Sequence, residues 1–270
     1  MSRGRAFPRW AATIAGIAVI LLIWWLASFI HYDQANGTAF HPVPAPWDVV
    51  DWLVIQGALP GYWPSLQPTL IEAGLGFLWG NGIALLLCAL VLLVPWLETV
   101  ITQIAVVSYC LPIVAVGSLA IILIGGAKNP GDPSQTGILL AALVLFFTTV
   151  SGTLLGFKSA DAASVDVVRV FGGGRWSQLV KVRLVAALPA ILSALQVAVP
   201  TSFLGAVLGE YMGHIDRSVG TLLIFYQSQN DSIGMWSLFL LCALVSVVGY
   251  GIVGLIARLI TPWVRGRAAG

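Results

Sequence analysis

Apolar residues along this chain neither alternate at the period of a strand nor thin out on one helical face; they run on. Six stretches reach the roughly 20 residues that a helix needs to cross a bilayer: 10–30, 66–94, 99–124, 137–156, 186–209 and 236–260. The expected fold class is all-α, a polytopic integral membrane protein with six transmembrane helices. The first stretch follows Arg3, Arg5 and Arg9, is too long for a signal-peptide core and lacks a small-residue cleavage site, so it reads as an uncleaved anchor. The organisation that follows is an N-terminal anchor and external segment over 1–64, a core over 65–264 and a tail over 265–270.

One interval breaks the pattern. Residues 158–185 hold Lys158, Arg169, Arg175, Lys181 and Arg183 between two membrane-length apolar runs. Placing five cations at mid-bilayer would cost roughly 13–18 kcal/mol, so this interval lies outside the lipid. Residues 165–171 read as a short helix and 175–185 as a second, with Gly172, Gly173 and Gly174 supplying the break between them. Pro189 suits the first turn of the next apolar helix. An ordinary helical loop is the alternative to a dedicated element.

Composition agrees with the pattern. The chain is 59% hydrophobic and 9% charged, against about 25% charged in a soluble domain. With a cytoplasmic N-terminus, all but Lys128 and Arg217 of the 13 Lys and Arg fall on the inner side, which places both termini in the cytoplasm of a multi-pass cell-membrane protein. The basic residues are thereby accounted for by topology, and no nucleic-acid partner is implied. Cys88, Cys110 and Cys242 all lie in apolar stretches and lack ligand spacing, so they read as packing residues rather than disulfides or metal ligands.

The interval 166–189, DVVRVFGGGRWSQLVKVRLVAALP, resembles the E-A-A-x-x-x-G loop of ABC-transporter permeases of the binding-protein-dependent type (MetI-like). Asp166 stands at the Glu, Val167 and Val168 at the alanines, Gly172 at the glycine, and Leu188 and Pro189 at the distal L-P. The resemblance implies that the loop at 157–186 couples the chain to a cytosolic ATPase through Asp166, Val167, Val168, Gly172, Gly173 and Arg175. It also implies a cytosolic ATPase dimer that binds ATP and Mg, a second permease subunit, an extracytoplasmic substrate-binding protein, and no cofactor on this chain. Asp for Glu and Val for Ala are departures from the family pattern.

TLIEAGLGF at 69–77 and FHPVPAPWDVVDWLV at 40–54 resemble the nitrate, sulfonate, taurine and pyrimidine-precursor branch of that family. The branch implies a small polar solute; with no cationic cluster in the spans, a neutral or aromatic one is favoured over an anion. Residues 46–54 read either as a short surface helix with Val49, Val50, Leu53 and Val54 on one face, or as an irregular loop. Gly76 and Gly80 form a G-x-x-x-G pair for close helix approach.

Candidate pathway residues are Glu72, Tyr109, Pro112 and Glu210. Glu72 is the one ionisable residue well inside a span, either functional or bonded to a neighbouring helix. Pro112 follows Tyr109 where the family has a proline break, lining a path or merely kinking the helix. Glu210 matches an acidic position of the family and, with Tyr211, His214 and Asp216, forms either an outer polar cluster or a solvated loop. No phosphate loop, zinc-protease motif or nucleophile elbow occurs. A membrane enzyme or an ion-coupled carrier built on Glu72 is the competing functional reading.

Overall fold

The computed structural model describes residues 9–29, 32–33, 39–40, 42–56 and 58–263. Arg3, Arg5, His31, His41, Arg265, Arg267 and the tail at 265–270 lie outside them. The order is α1 (Arg9–Ala27), β1 (Tyr32–Asp33), β2 (Ala39–Phe40), α2 (Pro46–Val50), α3 (Ala58–Leu93), α4 (Leu97–Cys110), α5 (Ile113–Ile124), α6 (Gln135–Lys158), α7 (Ala162–Val170), α8 (Arg175–Gln178), α9 (Leu184–Gly213), α10 (Val219–Ser228) and α11 (Ser232–Ile260). The all-α expectation holds: β1 and β2 are a two-residue antiparallel pair. Two compact units are distinguished, Met1–Trp63 with Leu223–Leu241 and Pro64–Leu222 with Cys242–Gly270.

Aromatic side chains organise the first unit. Trp24 stacks on Trp236 at 5.3 Å, and their indole N–H groups donate to the carbonyls of Pro44 at 3.1 Å and Pro42 at 3.0 Å. Indoles combine a large apolar face with one donor, so they suit a membrane–water boundary. Residues 46–55 do form a helix, which widens into a π-turn over Asp51–Ile55. Val49 and Leu53 are buried, while Val50 and Val54 are exposed. The expected four-residue face is thus two residues, spaced one turn apart.

The second unit is built on the antiparallel contact of α6 and α9, where small residues bring the backbones together. A Cβ added at Gly209 would lie 2.6 Å from the Gly137 Cα, and one at Gly205 would lie 2.7 Å from the Ala141 Cα. Further along, Gly152 faces Ala194 and Gly156 faces Ala187 and Ala190. Each step up α6 is matched by a step down α9, a seam that holds helices in lipid by close packing. The expected glycine pair acts here too: Gly76 of α3 abuts Ala141, and Gly80 lies against Ala142. Toward the other end Ala84, Cys88, Ile101, Val150, Phe157 and Ile191 pack into one core.

The proline break expected within 99–124 is present and sharp: α4 and α5 meet at 94° across Leu111 and Pro112, where proline supplies no N–H to continue the helix. Two other features differ from the expectation. The helix entering the fifth span does not restart near Pro189. Arg175–Gly213 is one 39-residue helical run, continuous through a π-turn at Leu179–Arg183 that re-phases it without ending it. Finally, α10 forms in a stretch for which no element was expected. Among the described residues four helices (α3, α6, the Arg175–Gly213 rod and α11) are long and apolar enough to cross a membrane, and the bent pair makes a fifth if it is counted as one span. Six spans result only if the shorter α1 also crosses.

Candidate functional site

The basic interval forms a helix, a turn and the foot of a rod. Asp161 caps α7, accepting from the Ser164 N–H and hydroxyl at 3.2 Å each, as short acidic side chains do at orphan N–H groups. At the other end Gly172 takes φ +76°. The Gly173 N–H then donates to the Val168 carbonyl at 2.8 Å and the Gly172 N–H to Arg169 at 3.0 Å. These are the two bonds of a Schellman cap. Gly173 is needed for space as well, since a Cβ there would lie 2.5 Å from Val168 Cγ1. The chain reverses within four residues and enters the rod at Arg175.

Of the coupling residues expected from sequence, Asp166 is exposed and ion-pairs with Arg169 at 3.4 Å, i to i+3. Val167 is exposed and Val168 is half-buried under the turn. Arg175 donates through Nη1 to the Leu93 carbonyl at 3.0 Å, tying the foot of the rod to the end of α3. Val165 and Leu179 face inward. Three residues missed at the sequence level complete a ridge with Val167: Val170 is 83% exposed, Phe171 86% and Trp176 63%. For Val170 the signal was present, because α7 holds more valines than one face of a nine-residue helix can bury.

At the opposite end of the second unit the two acidic candidates come together through their neighbours, and both are fully buried. Glu72 Oε1 accepts from the Ser134 N–H at 2.5 Å, at the entry to α6. Its Oε2 has no hydrogen-bond partner among the described residues and presses on Gly137, where a Cβ would collide with it. Glu210 accepts from Thr69 Oγ1 at 2.6 Å and from the Gly220 N–H at 3.0 Å. Thr69 lies one turn before Glu72 on α3. Each carboxylate therefore holds the start of a helix, α6 or α10, against α3 and α9. A buried Glu also favours such a position, since a helix N-terminus carries partial positive charge.

The other candidates lie apart. Tyr109 is exposed and stacks on Phe147 at 4.8 Å, and Pro112 forms the α4–α5 corner. No hydrogen bond joins either to Glu72 or Glu210 among the described residues. His214 and Asp216 do not share the Glu210 environment: His214 ends α9 in the left-handed conformation, and both line an open cavity of about 330 Å³ with Lys128.

Residues 73–266 match the family model described as "Binding-protein-dependent transport system inner membrane component". The chain belongs to that family. It is a permease component of an ABC importer, a multi-pass membrane protein that is not itself an enzyme, and the membrane-enzyme and ion-coupled readings of Glu72 fall away. This permease is 28% identical to a probable ABC transporter permease protein of Haemophilus influenzae, over 87% of the chain and 90% of the relative. It is 26% identical to the riboflavin transport system permease protein RibX of Chloroflexus aurantiacus, over 97% and 94%. It is 27% identical to the putative aliphatic sulfonates transport permease protein SsuC of Bacillus subtilis, over 96% and 90%. A chain of the MetNI methionine ABC transporter in an inward-facing conformation shares the fold, with TM-score 0.59 at 16% identity over 78% of this permease and 98% of that chain.

Proposed function

We propose that this permease works as one of a pair, identical or homologous, whose shared pathway is switched between inward- and outward-facing by cytosolic ATPases seated on the α7 turn. The observation that carries the reading is the apolar ridge of Val167, Val170, Phe171 and Trp176 beside a rigidly capped turn. Burying such side chains is worth about 1.5–3 kcal/mol each, so the ridge gains most from a partner groove. Asp166 and Arg175 flank that contact, and Gly172 and Gly173 give the turn its shape. ATP and Mg sit on the partner, and both termini of this chain face the cytoplasm.

Tyr109 and Pro112, at the exposed α4–α5 corner, face the pathway between subunits. Glu72 and Glu210 brace its outer end and do not touch solute, being fully enclosed within their own chain. The solute is small and polar, delivered by an extracytoplasmic binding protein. Relatives named for riboflavin and for aliphatic sulfonates span aromatic and anionic cargo. The absence of Lys and Arg from the interior of the spans favours the neutral or aromatic kind.

Phe171→Asp and Trp176→Ala are expected to reduce copurification of the ATPase at least about ten-fold, the effect of losing one buried aromatic anchor, while membrane insertion is unchanged. Full ATPase recovery with both variants would contradict the docking role.

A further inference from the structure

A cleft of about 380 Å³ opens between the α3–α4 connection and the basic interval. One wall is apolar, Val91, Leu92 and Pro95, where the α3 span ends; the other carries Arg169, Arg175 and Arg183. The single acid in the lining, Glu98, is committed to Lys158 at 2.6 Å. Arg169 has only the exposed Asp166, and Arg175 spends one N–H on the Leu93 carbonyl. Arg183 is half-buried, and its guanidinium has no hydrogen bond or ion pair among the described residues. Three guanidiniums thus line one small space with a single carboxylate, Glu98, which is shared with Lys158. The lining therefore keeps a net positive charge even with Asp166 beside Arg169. Guanidinium forks match the paired oxygens of a phosphate, and a basic pocket at the inner end of a span is where anionic headgroups collect.

We propose that this cleft binds the phosphate of an anionic phospholipid in the inner leaflet, which anchors the foot of the rod to the bilayer. The inference rests on the reading that the basic interval faces the cytoplasm. The surroundings favour a lipid over free phosphate: Pro95 is exposed at the rim, and the adjoining Trp96 is 68% exposed, an indole placed as at the headgroup level of a bilayer.

The test uses the complete permease–ATPase assembly, purified in detergent and exchanged into nanodiscs of phosphatidylcholine containing a few per cent phosphatidylglycerol. Retained lipid is counted by mass spectrometry, with and without added inorganic phosphate. The wild type should retain phosphatidylglycerol selectively. Arg183→Gln should bind it about five-fold more weakly, the share of one interfacial arginine. Arg183→Lys should fall between them, and Arg258→Gln, an exposed cation at the end of α11, should match the wild type. Monodispersity of each variant on size exclusion separates lost binding from lost folding.

Equal retention by Arg183→Gln and the wild type would overturn the proposal. Displacement of the lipid by millimolar inorganic phosphate would reassign the cleft to free phosphate. Protection of Arg183 from an arginine reagent only when the ATPase is present would give the cleft to an acidic side chain of that partner. Lipid retention is read without uptake, so its failure is distinguishable from failure of the coupling role, which changes ATPase recovery instead.

Discussion

Glu72 shows how a residue can be correctly singled out while its surroundings stay hidden. Its position inside a span was legible, since a carboxylate among apolar residues stands out. Its partners were not, because Ser134 and Gly137 are far along the chain and a backbone N–H leaves no trace in sequence. Glu72→Ala strands the buried Ser134 N–H and is expected to cost about 1–3 kcal/mol, read as lowered thermal stability of the solubilised protein. Glu72→Gln keeps an acceptor for that N–H and should lose less. If Gln proved as damaging as Ala, the hydrogen bond would not be what holds α6. Val167 and Val168 illustrate the same limit: as neighbours of one type they read alike, yet one faces out and the other packs under Gly173.

At the scale of elements, apolar runs and the glycine break were readable because they depend on local chemistry. Gly172 does adopt the backbone that favours glycine, and α7 ends one residue before Phe171. What misled was Pro189. A proline inside a buried helix is tolerated when neighbouring residues accommodate it, so Pro189 marks no boundary and the rod runs unbroken from Arg175. Continuity makes the rod a candidate lever. Inserting Gly-Gly after Arg183 should leave ATPase copurification intact while lowering uptake at least about ten-fold, because the turn would still dock but movement of the foot would no longer reach the span. Normal uptake by that insertion would show that the rod transmits nothing. The α4–α5 corner was legible as a proline break, but its 94° sharpness depends on packing that local sequence does not encode.

At the scale of the whole molecule, the positive-inside bias predicts which side each end faces. With Cys88, Cys110 and Cys242 replaced by alanine, Ser164→Cys, at an exposed position on α7, should react only with impermeant reagent supplied from the cytoplasmic side. Labelling from the outside would reverse the topology. The chain has no long internal repeat, so any two-fold symmetry of the pathway would require the proposed second subunit. That pairing would also cover apolar surface the isolated chain leaves bare, such as Tyr109 and Leu123 on the α4–α5 arms. Solute identity was the least legible feature, because selectivity in such assemblies is shared with a separate binding protein.

The coupling claim is tested most directly by the ratio of ATP hydrolysed to solute imported by the reconstituted transporter carrying Gly172→Val. A β-branched residue at φ +76° carries about 1–3 kcal/mol of backbone strain and deforms the cap that presents the ridge. The expected result is normal insertion, continued ATP hydrolysis and uptake reduced at least about ten-fold, so that the ratio rises. An unchanged ratio with wild-type uptake would mean that the α7 turn does not carry the stroke of the ATPase to the membrane.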